Sequence, residues 1–286
     1  MGGGGLRAGV LRELLVGDGG ALGRLEVVER IGSTNSELAA AVGRDPAAWP
    51  GVSMLVAEHQ DDGRGRSGRT WQTPARAALT LSLSLWPTSP TAAIGWFPLL
   101  AGLGAVRALR ATAGVHVTLK WPNDLLVPAP DGSRLDGWGP RRKVGGILSE
   151  LVTTPRGPAV ILGIGINVSQ SEAELPVPSA ISLAGAGARD LDREVILVAL
   201  VTALVDLAGR LDAAHGDAVV AGLADEVAAV CTTIGLEVRV ELPGGGVLEG
   251  TALGLGQDGS LLVRAADAIH PVLAGDVLHV REPSTG

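Results

Sequence analysis

The alternation of hydrophobic and polar positions predicts a β-sheet in the first part of the chain. Residues 77–86 (AALTLSLSLW) alternate with a period of two, which is typical of a strand with one buried face. Five shorter apolar segments have the length and composition of strands, namely residues 25–31, 52–58, 115–119, 144–152 and 159–166. We expect the last two to belong to the same sheet.

Apolar residues at helical spacing predict helices between these strands. The longest are residues 94–113 and a pair of Ala/Leu/Val-rich helices within residues 193–230. A shorter helix is predicted from Thr34 and Glu37, which have the spacing of a capping box. Residues 128–142 (PAPDGSRLDGWGPRR) are rich in Pro, Gly and polar residues, which predicts a hairpin loop or a mobile excursion.

A change of composition near residue 236 divides the chain. From there it consists of short β-rich pieces separated by turns, and about five such strands are typical of a small barrel. A length of 286 residues allows one large domain and one small domain. We therefore expect a domain over residues 1–232 and a C-terminal barrel over residues 233–286. Residues 1–20 are expected to form a flexible extension with one short helix, at residues 6–16.

The composition excludes several classes of protein. Hydrophobic residues make up 46% and charged residues 19%, so the chain can bury a core and is not a disordered polymer. A net charge of −7 argues against a protein that coats nucleic acid. The single cysteine, Cys231, excludes an internal disulfide and a cysteine-based zinc site. Because no run of about 18 apolar residues and no secretory signal occurs, we expect a soluble, cytoplasmic protein.

Rare residue types indicate where the chemistry lies. Of the 23 basic residues only two are lysines, Lys120 and Lys143, and the chain has three asparagines, Asn35, Asn123 and Asn167. In a chain that favours arginine, a retained lysine suggests a role for a compact ammonium. All five residues lie in short polar segments, and the segments of Asn35, Lys143 and Asn167 also contain glycine.

The segment at residues 60–69, the arginine loop, carries the densest positive charge. It places Arg and Gly three times each within seven residues, and glycines let backbone N–H groups approach an anion that arginine side chains can bind. A solvated loop or an RG-type nucleic-acid contact are the alternatives. A single copy without interleaved aromatic residues, in an acidic chain, favours a small anionic ligand.

Three further segments suit a nucleotide. Residues 119–124 (LKWPND) combine an ammonium, an amide and a carboxylate, which suits phosphate and hydrated Mg²⁺, although a polar turn explains them equally well. Residues 143–150 (KVGGILSE) and 163–167 (GIGIN) contain glycines that permit close approach of a ligand. The segment at residues 163–167 lacks the third glycine and the following helix of a dinucleotide-binding fingerprint, and neither a Walker A nor a Gly-x-Ser-x-Gly motif occurs in the sequence. His59 adjoins the arginine loop and could line the site, whereas Cys231 is expected to be a buried, inert thiol.

These segments occur in the order seen in biotin protein ligases, together with residues 32–35 (GSTN), and the chain resembles that family over about residues 25–281. It resembles the monofunctional type without a DNA-binding domain. The resemblance implies an α+β fold, with a class II synthetase-like mixed β-sheet backed by helices and a small C-terminal SH3-like β-barrel. No nucleic acid or membrane partner is expected, and the chain would be a monomer or a homodimer.

The resemblance further implies a reaction in two steps. Biotin and MgATP would give biotinyl-5′-AMP and pyrophosphate. A lysine of the biotin carboxyl carrier domain of an acyl-CoA carboxylase would then accept biotin and release AMP. Attack of a carboxylate on the α-phosphate brings two anions together, and fixed cations with Mg²⁺ would offset their repulsion.

The resemblance also implies roles for individual residues. The catalytic residues would be Lys143, Arg66 and Lys120. The residues implied for biotin are Ser33, Thr34, Asn35, Gln60, Gly63, Arg64, Gly65, Arg66, Lys143 and Gly146. The residues implied for ATP are Arg64, Arg66, Arg69, Trp71, Lys120, Asn123 and Asn167. Asp124 is the candidate Mg²⁺ ligand.

The sequence departs from the family pattern at two places, so it does not determine the rate of the reaction. Asp62, beside Asp61, replaces the small residue usual before the arginine run and could pair with an arginine of the loop. The loop at residues 128–142 is longer than usual.

Rival functions are a lipoate ligase or octanoyl transferase of the same fold, a non-catalytic adaptor and a DNA-binding repressor. Gln60 with the arginine loop favours biotin.

Overall fold

The computed structural model describes residues 4–88, 91–273 and 275–281. Its larger part is built on a seven-stranded sheet with the order β1-β2-β3-β7-β6-β5-β4. The strands are β1 (Arg24–Val28), β2 (Ser53–Ala57), β3 (Ala78–Leu85), β4 (Thr118–Lys120), β5 (Asp124–Pro128), β6 (Arg141–Thr154) and β7 (Gly157–Asn167). β1 and β2 pair in parallel and every other neighbouring pair is antiparallel, so the predicted mixed sheet is confirmed.

Helices cover both faces of this sheet. They are α1 (Ala8–Leu15), α2 (Thr34–Arg44), α3 (Trp96–Thr112), α4 (Arg193–Ala213) and α5 (Leu223–Val230). α3 and α4 pack together in the main core on one face, and α3 is apolar around most of its circumference because it is enclosed on nearly every side. α2 closes the opposite face with a smaller cluster that includes Leu38 and Ile161.

The packing of α2 on this opposite face explains why β3 departs from its sequence pattern. Its alternation predicts a strand with one buried face, yet all eight of its residues are buried. The polar side chains lie on the face that carries α2, where Thr80 Oγ1 donates to Ala57 O at 2.8 Å and Ser82 Oγ donates to Thr34 Oγ1 at 2.9 Å. These two hydroxyl groups are buried at low cost because each has a hydrogen-bond partner, whereas the buried Ser84 Oγ has none among the described residues.

Two local predictions also need correction. The N-cap of α2 is Ser33, whose Oγ accepts from Ser36 N, so Thr34 is the first helical residue and not the cap. β5 was not expected as a strand. Within residues 119–124, for which a polar turn was one of the two explanations, residues 121–123 form the turn between β4 and β5, which pair as neighbours. Residues 128–142 form the connection of the β5–β6 hairpin, so of the two alternatives the hairpin loop is confirmed.

The N-terminal segment is packed, and the expectation of a flexible extension is wrong for its described part. In α1, Leu11 and Leu15 are 0% and 1% exposed and belong to the main core. The backbone before the helix is held by an ion pair inside the protein. Glu58 accepts from Leu6 N at 2.5 Å and from Arg193 Nη1 at 2.5 Å, and Arg193 Nη2 also donates to Gly4 O.

A separate antiparallel sheet with the order β11-β10-β9-β8-β12 follows. Its strands are β8 (Glu237–Glu241), β9 (Val247–Leu255), β10 (Leu261–Ala265), β11 (Ala268–Val272) and β12 (Asp276–Arg281). The five strands predicted for this region are therefore present. Indole groups connect it to the larger part of the protein: Trp96 Nε1 donates to Gln257 O at 2.7 Å and Trp121 Nε1 donates to Gly259 O at 3.1 Å.

No helix within the described ranges is both long enough and apolar enough to cross a membrane.

The Glu58–Arg193 pair generates a first prediction. Its side chains are only 2% and 6% exposed, so Arg193→Ala would leave a carboxylate buried without its cation. We expect the free energy of unfolding to fall by about 3–5 kcal/mol in urea denaturation. The control is Arg7→Ala, which removes an exposed arginine from the neighbouring Arg7–Glu194 pair and should have a much smaller effect. Equal losses for both variants would contradict the prediction.

His279 of β12 generates a second prediction. Burial, together with the charges of Lys120 and Arg141, lowers the pKa of His279 from 6.5 to about 3. Below the unfolded pKa the unfolded chain binds a proton that the folded chain refuses, so stability falls as the pH drops. We expect wild type to lose about 2 kcal/mol more than His279→Gln between about pH 7 and pH 5. Equal pH dependence in urea titrations of both proteins would refute this expectation.

Candidate functional site

A cleft of about 640 Å³ opens on the face of the large sheet that carries α2. The arginine loop, the β4–β5 turn and the facing ends of β6 and β7 form most of its lining. With one exception, the residues that the family resemblance implies for the site line this cleft: Ser33, Thr34, Asn35, Gln60, Arg64, Gly65, Arg66, Arg69, Trp71, Lys120, Asn123, Asp124, Lys143, Gly146 and Asn167. The exception is Gly63. Segments far apart in the chain therefore meet at one place.

Strand register brings the motifs together. Lys120 pairs with Asp124, Asp124 with Gly146, Gly146 with Gly165, and Gly165 with Thr80, so these five residues form one row across β4, β5, β6, β7 and β3. Directly paired residues point to the same face of a sheet. The row thus has charged residues at one end, a hydroxyl at the other and two glycines without side chains between them.

The glycines make room for an indole ring. A Cβ added to Gly165 would lie 2.5 Å from Cε2 of Trp71, and one added to Gly146 would lie 3.7 Å from Cζ3 of the same ring. Gly63 does not line the cleft but supports this arrangement, because its carbonyl accepts from Trp71 N at 2.7 Å and any side chain would collide with the Trp71 carbonyl. Trp71 Nε1 is buried and, among the described residues, has no hydrogen-bond partner.

The hydroxyl end of the cleft is a neutral hydrogen-bonding region. Gln60 Oε1 accepts from Thr34 N at 2.8 Å and from Thr34 Oγ1 at 3.0 Å. Asn35 donates to the carboxylate of Glu150, while its own Oδ1 is buried without a partner in the part of the chain that the structure describes. A buried acceptor of this kind is available to an N–H group of a ligand.

The other end of the cleft is positively charged. Five cations line the cleft, Arg64, Arg66, Arg69, Lys120 and Lys143, and two carboxylates, those of Asp124 and Asp276, face them. The site therefore has a positive balance in a chain whose net charge is −7. This charge suits an anionic ligand, as the arginine loop alone had suggested.

Most charges in the cleft have a definite neighbour. Lys143 Nζ donates to Asp124 Oδ1 at 2.5 Å, and Arg69 forms an ion pair with Asp276. Arg66 Nη1 lies 3.2 Å from Asn123 Oδ1, to which it donates. Burial lowers the pKa of both Lys120 and Arg66, which marks these two cations as the desolvated ones.

The sequence did not indicate that the C-terminal sheet contributes to the cleft. Asp276, Val277 and Leu278 of β12 line it, and Gly275 O accepts from Arg66 Nη1 at 3.3 Å. Trp138, from the loop predicted as a hairpin or an excursion, also lines it. A tryptophan in an otherwise polar loop was the available signal for Trp138, whereas nothing in the local sequence distinguishes Asp276 from other turn residues.

Other residues near the motifs lie outside the cleft. His59 does not line it and has Asp61 as its neighbour at 3.4 Å. Asp61 pairs with Arg30 at 2.6 Å and not with the arginine loop, and Asp62 forms none of the ion pairs found in the described part of the protein. Cys231 is buried at the end of α5 and burial raises the pKa of its thiol, in keeping with the inert thiol expected.

The described side chains of the cleft do not form a metal site built from protein ligands alone. Within the described residues, no three side chains of the types His, Cys, Asp and Glu are grouped so that they could hold a metal ion. Of the two carboxylates in the cleft, each already has a cationic partner. Mg²⁺, however, is commonly held by one or two carboxylates together with the phosphates of a nucleotide, and Asp124 suits that arrangement.

Comparison with known proteins gives consistent matches. Residues 27–167 match the model of the biotin/lipoate A/B protein ligase family, and residues 233–280 match that of the biotin protein ligase C-terminal domain. The biotin–[acetyl-CoA-carboxylase] ligase of Mycobacterium tuberculosis is 38% identical over 275 residues, which is 95% of this chain and 94% of that protein.

Two further relatives agree with these matches. The structure of the Aquifex aeolicus biotin protein ligase in complex with biotin and ATP aligns with a TM-score of 0.70 and 26% identity, covering 91% of this chain and 99% of that one. The bifunctional ligase/repressor BirA of Escherichia coli is 36% identical over 136 residues, which is 47% of this chain but only 36% of that protein.

The contact between the two glycines of the row and the indole ring generates a prediction about Trp71. Gly165→Ala places a methyl group within contact distance of the indole, so the ring must move. The protein has six tryptophans, and we expect the indole N–H resonance of Trp71, assigned with Trp71→Phe, to shift in ¹⁵N spectra. Gly254→Ala in β9 is the control, because nothing lies within 4 Å of its added Cβ. An unmoved Trp71 resonance in Gly165→Ala would contradict the packing.

Proposed function

The chain belongs to the biotin protein ligase family, and from that premise we propose that it activates biotin with ATP before attaching it to a protein. It is a ligase that uses biotin. In the proposed first step, biotin and ATP form biotinyl-5′-AMP and pyrophosphate. In the second, the ε-amine of a lysine attacks the activated carbonyl, an amide forms and AMP leaves.

The observation that carries this proposal is the division of one cleft into a neutral hydrogen-bonding end and a cationic end. Biotin has the same division, with an uncharged ureido ring at one end and a carboxylate at the other. Ser33, Thr34, Asn35 and Gln60 supply hydroxyl and amide groups for the ring. A lipoyl or octanoyl chain lacks ureido N–H groups and would leave the buried Asn35 Oδ1, which has no partner among the described residues, without a donor, and this costs binding energy.

The cationic end suits the adenylation step. An oxygen of the biotin carboxylate attacks the α-phosphorus of ATP, the new O–P bond forms, and the bond to the β-phosphate breaks. Both reactants are anions, so their approach requires fixed positive charge, which Lys143, Lys120 and Arg66 are positioned to supply. Lys143 would contact the biotin carboxylate, while Lys120 and Arg66 would face phosphate oxygens.

Further residues of the cleft complete the proposed nucleotide site. Arg64 and Arg69 would add charge, Asn123 and Asn167 amide groups, and Trp71 an apolar border. Asp124 would hold a Mg²⁺ ion that the nucleotide phosphates carry, and the ion would neutralise part of their charge. Gly65 and Gly146 would let the ligand approach the backbone closely.

We propose residues 1–232 as the catalytic domain and residues 233–286 as a C-terminal domain that closes on the nucleotide. The Arg69–Asp276 pair and the hydrogen bond from Arg66 to Gly275 O support this role, because they join β12 to the loop that would carry the phosphates. The open alternative, docking of the carrier protein, has no comparable contact in its favour.

We further propose a biotin carboxyl carrier domain of an acyl-CoA carboxylase as the protein substrate. The name of the Mycobacterium relative includes acetyl-CoA carboxylase as the protein acted upon.

Biotin-dependent exchange between pyrophosphate and ATP tests the first step. We expect exchange with biotin and not with lipoate or octanoate, and a decrease of at least about 100-fold in Lys143→Ala, because that variant loses a fixed charge at the reacting carboxylate. Arg239→Ala removes an exposed cation of the C-terminal sheet, outside the cleft, and should leave exchange unchanged.

The alternative outcomes are distinct. Exchange with lipoate or octanoate would assign the chain to another branch of the family. No exchange with any of the three acids, in a protein that is folded by circular dichroism, would contradict an adenylating enzyme and leave a binding protein.

A further inference from the structure

Trp138 lies against one of the two lysines of the cleft. In the β5–β6 connection, its ring centroid is 4.5 Å from Lys120 Nζ, and both residues line the cleft. An ammonium at this distance from an indole face is attracted by the negative charge of the π system. None of the motifs that assigned the proposed function includes Trp138.

The loop that carries Trp138 is held in place by its own backbone. Trp138 N and Gly139 N both donate to Leu135 O, at 3.1 Å and 2.8 Å, and Ala129 N donates to Pro140 O at 2.8 Å. At Gly137, where φ is 72°, an added Cβ would lie 3.3 Å from Leu278 Cδ2. The loop is thus closed on itself and packed against β12, so the indole has a defined position.

Lys120 has no other strong partner in the described part of the structure. It is buried, and neither a hydrogen bond nor an ion pair to its ammonium is found there. The nearby carboxylates are engaged elsewhere, Asp124 with Lys143 and Asp276 with Arg69. Burial lowers the pKa of Lys120, which means that it disfavours the charged ammonium. A contact that stabilises the ammonium therefore offsets part of this effect of burial.

We propose that Trp138 is the positioning residue of Lys120, and that its ring holds the ammonium in the cleft for the phosphate oxygens of the nucleotide. An aromatic ring suits this task better than a carboxylate does. It stabilises the cation without neutralising it, so an incoming phosphate does not compete with a bound anion. This role rests on the proposed function, because it assumes that the cationic end of the cleft binds ATP.

Steady-state exchange kinetics of the full chain test the role. In Trp138→Leu we expect the KM for ATP to rise roughly tenfold while the KM for biotin stays within twofold, and in Trp138→Phe most of the loss should be restored. Trp86→Leu is the matched control. It removes a tryptophan that stacks with Arg156 at 4.8 Å, outside the cleft, and should leave both KM values unchanged.

The two lysines allow a direct structural measurement. In protein labelled with ¹³C-lysine, Lys120 and Lys143 give the only ε-methylene signals of lysine side chains, and Lys120→Arg identifies one of them. We expect the Lys120 signal to be displaced upfield by the indole ring current. The displacement should disappear in Trp138→Leu but not in Trp86→Leu.

The outcomes separate this inference from the proposed function. Normal biotin-dependent exchange in the parent chain would overturn only the role of Trp138 if, in Trp138→Leu, the KM for ATP is unchanged or the Lys120 signal keeps the position it has in the parent chain. Equal increases in both KM values together with a lower unfolding temperature would also overturn it, since they indicate a merely structural residue. No exchange in the parent chain would overturn the proposed function and, with it, the nucleotide-facing role.

Discussion

The structure depends on keeping five cationic side chains together in one partly buried cleft. Like charges repel more strongly where water is excluded, and burial itself penalises each charged group. The protein meets this constraint with a different neighbour for almost every cation. Lys143 has a carboxylate, Arg69 has a carboxylate of the C-terminal sheet, Arg66 has amide and carbonyl oxygens, and Lys120 has an indole ring. The cleft thus keeps a positive balance that an anionic substrate can use.

The large sheet provides the precision that this arrangement needs. β4, β5, β6 and β7 are neighbours, so residues from three separate motifs stand in one row, and hydrogen bonds across the strands fix their spacing. The two glycines in the middle of the row leave a bare surface on which the Trp71 ring lies. Cores on both faces support the sheet, and the buried Glu58–Arg193 pair anchors the strand end that leads into the arginine loop. Packing far from the cleft therefore sets its geometry.

Much of this could be predicted from the sequence, because it depends on local pattern or on residue type. Period-two alternation located β3, apolar periodicity located α3 and α4, and the scarcity of lysine drew attention to Lys120 and Lys143. Two of the predictions that proved wrong concern the surroundings of an element: β3 is buried on both faces, and the N-terminal helix is packed against the core. The sequence of a strand does not encode which elements pack on its two faces, and the sequence of a terminal helix does not encode whether it packs against the core.

The sequence by itself determined which chemical groups are available and where along the chain they lie. Hydrophobic periodicity, glycine positions and rare charged residues act over a few neighbouring residues, so they can be recognised without a fold. Only the tertiary structure decided which groups meet: that Asp276 pairs with Arg69, that Trp138 lies over Lys120 and that Gly165 faces Trp71. These contacts join residues far apart in the chain. They arise from the combined effect of many weak packing and hydrogen-bond energies, which no local pattern contains.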